Sequence, residues 1–261
     1  MDRLPLILST LCFLFGFAAT LAALRDERQG LRRLHTVMMA AGFALQTLFL
    51  LRRGQAIGHC PLTNLFEVLV FLSWSCALFY FGIGRAFRLS LLGMFTAPLL
   101  VLLQTGALLA PIDPPHRIFA PHNPWMEWHA ALCVMAYGAF ALAGIAGVMY
   151  LAQERQLKKR HLGVFFFQMP PIADLATANL RLLWAGILLL SAGLASAAAI
   201  HLPVARSVWT WGGSLWGAYL LLLLARRLGP RRTAFLSAGA FVLAAAALCA
   251  FNHFYQGAAG L

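Results

Sequence analysis

The run Leu4-Pro-Leu-Ile-Leu-Ser-Thr-Leu-Cys-Phe-Leu-Phe-Gly-Phe-Ala-Ala-Thr-Leu-Ala-Ala-Leu24 carries no charge from end to end, and Arg25 closes it. A helix needs about 20 mainly apolar residues to cross the hydrocarbon core of a bilayer. With no water there, the backbone must satisfy its own hydrogen bonds within the segment. Seven more apolar runs follow: Leu34 to Leu51, Leu62 to Ile83, Leu89 to Ala110, His129 to Leu151, Leu180 to Ile200, Trp209 to Ala225, and Thr233 to Phe254. The chain is therefore predicted to be all-α, a polytopic membrane protein of about eight transmembrane helices in one domain covering residues 1–261. Leu4–Leu24 is too long for the core of a signal peptide, and no small-residue cleavage site precedes the arginines after it, so it reads as a retained first helix.

Composition points the same way. Hydrophobic residues make up 61% of the 261 and charged ones 11%, a balance that suits lipid as the solvent. The net charge of +12 does not imply nucleic acid, because Lys and Arg fall in short clusters beside apolar runs and form no solvent-facing stripe. They read as topology signals. Under the eight-span reading fifteen of the twenty share one side, among them Arg25, Arg28, Arg32, Arg33, Lys158, Lys159, Arg160 and the group from Arg226 to Arg232. Arg3, Arg52, Arg53, Arg117 and Arg206 lie on the other. The basic side faces the cytoplasm, which predicts both termini on the outer, periplasmic side of a bacterial inner membrane. The five cysteines, Cys12, Cys60, Cys76, Cys133 and Cys249, form no C-x-x-C and no C-x-x-C-H. Neither a zinc site, nor a thioredoxin-like pair, nor a covalently attached c-type haem is indicated.

The connectors carry further expectations. Leu162 to Ala178, with Gln168-Met-Pro-Pro171, is too polar and Pro-broken to span, and reads as a cytoplasmic re-entry into the sixth helix. The loop Pro111 to Trp128 is rich in Pro and aromatics and is expected to be ordered over the outer face. The Ala-rich stretch Ala192 to Ala199 reads as a close helix-packing surface. Trp209, Trp211 and Trp216 fall at or near the outer interface, where an aromatic belt accounts for them.

Six of the eight histidines, His59, His116, His122, His129, His201 and His253, fall on the outer side, against His35 and His161 towards the cytoplasm. Such a concentration of imidazoles suggests coordination of a metal or a cofactor iron. His129 opens the fifth helix within Trp125-Met-Glu-Trp128-His129, and His253 closes the eighth within Phe251-Asn-His253-Phe254-Tyr255, near the same depth. Two imidazoles from different helices can ligate one iron from opposite faces, with indoles covering a porphyrin and arginines pairing with its propionates. For either histidine viewed alone, an interfacial hydrogen-bonding role is the commoner one. Glu67, an acid in the third helix, must be paired or functional; Asn64 or a nearby Arg could satisfy it, and a proton or substrate role is the alternative.

The run Gly58-His59-Cys60-Pro61-Leu62-Thr63-Asn64-Leu65-Phe66-Glu67 and its continuation to Trp74 resemble the third-helix signature of the CcsA-type cytochrome c assembly proteins, G-H-x-P-L-S-N-L-Y-E-S-L-x-F-L-S-W. Trp128-His129 followed by Ala136-Tyr137-Gly138-Ala139-Phe140 resembles the helix in which that family places an outer haem-ligand histidine. Trp216, Tyr219 and Arg226 followed by Gly229-Pro-Arg231-Arg232 are similar to its W-x-x-Y…R…G-W-R-G-R-R passage. The resemblance implies a membrane protein that binds haem b non-covalently at its outer face and presents it to apocytochrome c. It implies His129 and His253 as axial ligands of the iron and Trp209, Trp211 and Trp216 as the haem platform. A CcsB- or ResB-like membrane subunit is the implied partner, the two together forming a haem lyase (cytochrome c synthase).

The departures narrow this. The family's W-x-W-D-P-K-E segment falls around Arg206-Ser-Val-Trp209-Thr-Trp211, where its acid, proline and lysine have no equivalents, so the platform is degenerate or rebuilt. Leu224 stands where family members carry a histidine two residues before the arginine matching Arg226, which implies loss of an inner haem ligand. With its short length, the chain is most similar to the compact YpjD-like and HemX-like branch. One alternative is an accessory or regulatory membrane protein of haem metabolism that does not present haem. Another is a b-type cytochrome, which would need histidines in the cytoplasmic half beyond His35.

Overall fold

The computed structural model describes residues 3–25, 29–87, 92–110, 124–159, 170–199 and 206–259, the side chains of 24, 25, 29, 32, 83–87, 92, 199, 206–208 and 245–259 excepted. Among the described residues the chain is all-helical: α1 (Leu4–Arg25), α2 (Gln29–Ile57), α3 (Leu65–Phe87), α4 (Leu92–Leu109), α5 (Pro124–Lys159), α6 (Ile172–Ala199), α7 (Arg206–Leu224), a 3₁₀ turn (Ala225–Leu228) and α8 (Pro230–Ala259). Of the described residues, five stretches are long and apolar enough to cross a bilayer: Leu4–Ala23, Arg33–Ile57, Leu65–Gly82, Pro124–Lys159 and Ile172–Ala198. Gly93–Leu109 is a shorter apolar helix.

The ends of the helices follow from caps that hydropathy does not register. α3 starts at Leu65 because the Asn64 side-chain Oδ1 accepts the backbone N–H of Glu67 at 2.8 Å. α2 stops where Gly58 takes φ +76° and returns its N–H to the Gly54 carbonyl, a backbone geometry that favours glycine. The sixth helix departs most from its expected bounds. It begins at Ile172, so residues 172–178, expected as re-entrant chain, form its first turns. Pro171 stands just before the helix, and its carbonyl accepts the N–H groups of Asp174 and Leu175, a position where proline's missing N–H costs nothing. The polar residues that argued against a helix are used: Asp174 lies in the first turn, where an acid meets the positive end of the helix. Residues 160–169 and the loop 111–123 lie outside the described residues.

α5 is the hub, touching α3, α6 and α8, while α1 lies against α2 and α4, and α7 against α6 and α8. Small side chains let the backbones close on one another. A Cβ on Gly147 would stand 2.5 Å from the Ala234 carbonyl oxygen, and one on Gly144 would stand 2.9 Å from Phe241 Cβ, which sets the antiparallel register of α5 against α8. Buried Asn179 ties three helices together, its amide donating to the Ala143 carbonyl at 2.7 Å and to Ser237 Oγ at 2.8 Å. The Ala-rich tract of α6 packs on one face only: Gly193 and Ala197 are buried, whereas Ala192, Ala195 and Ala198 are exposed.

The alternation of helix direction collects chemistry at two ends. At one, Arg3 Nη1 donates to the Leu108 carbonyl (2.7 Å) and the backbone N–H of Cys60 donates to Glu127 Oε2 (3.0 Å). His59 and His129 therefore share that end. At the other, His35 is buried between α1, α2 and α3, its Nδ1 hydrogen-bonded to the Gly16 carbonyl at 3.0 Å and its Nε2 to Tyr80 Oη at 3.2 Å.

Candidate functional site

The motif between α2 and α3 is an anchor for helix ends. Glu67 is 1% exposed, and Arg53, 6% exposed, reaches it from the last turns of α2. The Arg53 Nε–Glu67 Oε1 distance is 2.8 Å and the Nη2–Oε1 distance 2.7 Å. The other carboxylate oxygen accepts the Thr63 backbone N–H and the Thr63 hydroxyl, both at 2.8 Å. Both alternatives offered for the partner of Glu67 hold: Asn64 caps the helix at the Glu67 backbone, and an arginine neutralises the carboxylate. A carboxylate so fully engaged holds structure. Nearby, Pro61 is buried, and His59 Nδ1 lies 3.1 Å from the Cys60 carbonyl oxygen. Burial, with Glu127 and Glu67 close by, pushes the Cys60 thiol up to about 11, so it stays protonated at neutral pH. Trp74 belongs to the same scaffold, its Nε1 donating to Thr47 Oγ1 at 2.9 Å while its ring stacks on Phe43.

The second feature at this end is His129. The helix begins at Pro124, so His129 sits in the second turn of α5 and does not open the helix. It faces α6, with Nδ1 2.7 Å from the Gly193 carbonyl oxygen. A carbonyl can only accept, so Nδ1 carries the proton and the lone pair of the neutral imidazole is on Nε2. This is the arrangement in which metal-ligating histidines are held, one nitrogen oriented by a carbonyl and the other left to the metal. Cys133, one turn on, has Sγ 3.9 Å from the same Nδ1. Trp125 and Trp128 flank the histidine, with Trp128 63% exposed. The donor set of His129 thus fits one axial position of a porphyrin iron. His253 lies within α8, which runs on to Ala259, so it does not close that helix; its side chain lies outside the described residues.

The three indoles of α7 divide. Trp209 and Trp211 are exposed near the start of the helix, whereas Trp216 packs on the core and its Nε1 donates to Ser191 Oγ on α6 at 2.8 Å. Tyr137 packs on the core cluster that includes Tyr219, and Tyr219 stacks on Phe140 with ring centroids 3.5 Å apart. Arg226 lies at the opposite end, its guanidinium 5.9 Å above the Trp184 ring. Leu224 is 60% exposed. His116, His122, His161 and His201 lie outside the described residues. Arg53, Glu127 and Gly193 were not singled out as site residues from sequence. Arg53 had a signal, as an unexplained cation a short loop away from Glu67, and Glu127 had one, two residues before His129. Gly193 had none, because it acts through its carbonyl.

Helices of this length and composition make the chain a multi-pass helical membrane protein. Its place among such proteins comes from comparison. Residues 62–247 match the family model for the cytochrome C assembly protein, and the chain belongs to that family. It is 26% identical over 210 residues to the cytochrome c biogenesis protein CcsA of Chlamydomonas reinhardtii, a match covering 76% of this chain and 57% of that one. It is also 26% identical over 273 residues to CcsA of Synechococcus sp. (strain RCC307), covering 88% of each. To the protein HemX of Brevibacillus brevis it is 27% identical over 179 residues, 67% of this chain and 65% of that one.

Proposed function

We propose that this protein acts in cytochrome c maturation, holding haem b non-covalently between His129 and His253 at the outer face of a bacterial inner membrane and presenting it to apocytochrome c. The observation that carries this reading is the hydrogen bond from His129 Nδ1 to the Gly193 carbonyl, which leaves the Nε2 lone pair to a ligand. The helix register supports His253 as its mate. Gly147 of α5 meets Ala234 and Ser237 of α8, and Gly144 meets Phe241. Continuing both antiparallel helices at about 1.5 Å per residue brings the levels of His129 and His253 together. Trp128, Trp209 and Trp211 are exposed indoles available to a porphyrin face. When bound, the haem supplies the vinyl groups to which a client's thiols add. This chain's own part is to hold, orient and shield the ring.

The same reading has eight membrane crossings with both termini outside, and a CcsB- or ResB-like subunit completing the synthase. It has one haem site, since Leu224 cannot coordinate iron and His35 is engaged by Gly16, Thr20 and Tyr80. Loss of the gene in its host is expected to abolish c-type haem staining of membrane and periplasmic proteins. Wild-type protein is expected to restore it, and the His129→Ala form to restore less than about a tenth. Full restoration by His129→Ala would favour the accessory reading, which the missing acid, proline and lysine beside Trp211 also favour.

A further inference from the structure

Between α6 and the start of α8 lies a cavity of about 480 Å³, lined among others by Thr177, Leu180, Arg226, Arg227, Thr233 and Ala234, within the roughly 300–1,000 Å³ of ligand sites. It is at the end of the molecule opposite His129, and the proposed haem site does not involve it. Among the described residues no carboxylate lines it, the nearest acid on α6 being Asp174, one turn before Thr177. Four arginines fall between 226 and 232, beside the N-terminus of α8, whose backbone dipole already disfavours cations, and α8 has no acid in its first turn. Glu154 pairs with Arg231 at 3.2 Å. Among the described residues Arg226 and Arg227 meet no carboxylate. The hydroxyls of Thr177 and Thr233 donate to the Ala173 and Gly229 carbonyls, so the two guanidinium groups are the charged donors facing the cavity.

A topology signal explains arginines on this side, but not a cavity lined by two of them. Nor does it explain Arg226 set with its guanidinium 5.9 Å over the Trp184 ring, a cation–π contact compatible with its N–H groups gripping an oxyanion. Past Arg181 the surface leading away from the cavity is apolar. Thr177, Trp184 and Leu188 recur on one face of α6, with Trp184 43% and Leu188 63% exposed. Oxyanion donors at the mouth and an apolar track running into the membrane match a ligand with a charged head and a hydrocarbon tail. Basic pockets between helices on the cytoplasmic side of membranes take such lipids.

We infer that this cavity binds an anionic glycerophospholipid, with its phosphodiester on Arg226 and Arg227 and an acyl chain along Trp184 and Leu188. The test uses full-length protein, delipidated in mild detergent and titrated with phosphatidylglycerol, phosphatidylcholine or inorganic phosphate, with retained ligand read by native mass spectrometry. Phosphatidylglycerol is expected to bind at least tenfold more tightly than phosphatidylcholine, and millimolar phosphate not to compete. Arg226→Gln with Arg227→Gln should erase the preference, whereas Arg155→Gln with Lys159→Gln should keep it. Should the double variant fail to fold, wild-type protein still decides, because a phosphatidylglycerol with a photoreactive acyl chain is expected to label the α6 peptide containing Trp184. Equal retention of the two lipids, labelling confined to other helices, or displacement of the lipid by haem would overturn the assignment, the last by giving the cavity to the porphyrin carboxylates.

Discussion

Glu67 and Arg53 form a buried ion pair whose value lies in what breaking it leaves behind. Removing one partner strands an uncompensated charge, at a cost of about 3–5 kcal/mol, whereas removing both strands none. Arg53→Ala and Glu67→Ala should therefore each depress thermal stability sharply, and the double variant should be no less stable than either single one. Additive losses in that cycle would show the pair to be uncoupled. Cys60 makes a second prediction. With its thiol at about 11 against an ordinary 9, the thiolate fraction at pH 8 is about a hundredfold lower than that of a free thiol. Iodoacetamide adducts at Cys60 should therefore form slowly at pH 8 and accelerate as pH rises towards 11, and fast labelling at neutral pH would contradict the buried geometry. The sequence made Glu67 legible as a residue needing a partner, because an acid beside an apolar run always raises that question. Identifying the arginine needs coordinates, since Asn64 is local to Glu67 whereas Arg53 reaches it only when α2 and α3 are side by side.

At the scale of helices, apolar runs located the elements, but their ends were set by capping. Hydropathy starts the sixth helix at Leu180 because Leu162 to Ala178 is polar and broken by proline. In the folded chain Asn179 is an interior tie, and tertiary partners that satisfy a polar side chain are invisible to a window average. Asn179→Leu removes both hydrogen bonds of the Asn179 amide, to Ala143 and to Ser237, and it should cost about 1–3 kcal/mol of stability, measurable as a lowered unfolding midpoint in detergent. The α5–α6 contact at the histidine is as specific. A Cβ on Gly193 would meet Cys133 Sγ at 2.9 Å, so Gly193→Ala should push the helices apart at about 1–3 kcal/mol and misalign His129. Adding Cys133→Ala, which removes the obstructing sulfur, should recover haem content. Haem content untouched by Gly193→Ala would mean that the carbonyl does not orient the imidazole.

For the molecule as a whole, the distribution of Lys and Arg gave an orientation that the packing of helices alone does not carry, since no bilayer enters a set of interhelical contacts. A reporter active only in the cytoplasm, fused after Leu261, should stay silent, and one fused at Lys159, between α5 and α6, should be active; the reverse pattern would invert the molecule. The proposal that the His129 end holds one haem between two imidazoles is tested by an absorption spectrum of the purified, haem-reconstituted protein. A low-spin bis-imidazole spectrum with about one haem per chain is expected, lost or converted to high spin in both His129→Ala and His253→Ala. Wild-type protein that takes up no haem from excess, or a low-spin spectrum unchanged by either substitution, would contradict it.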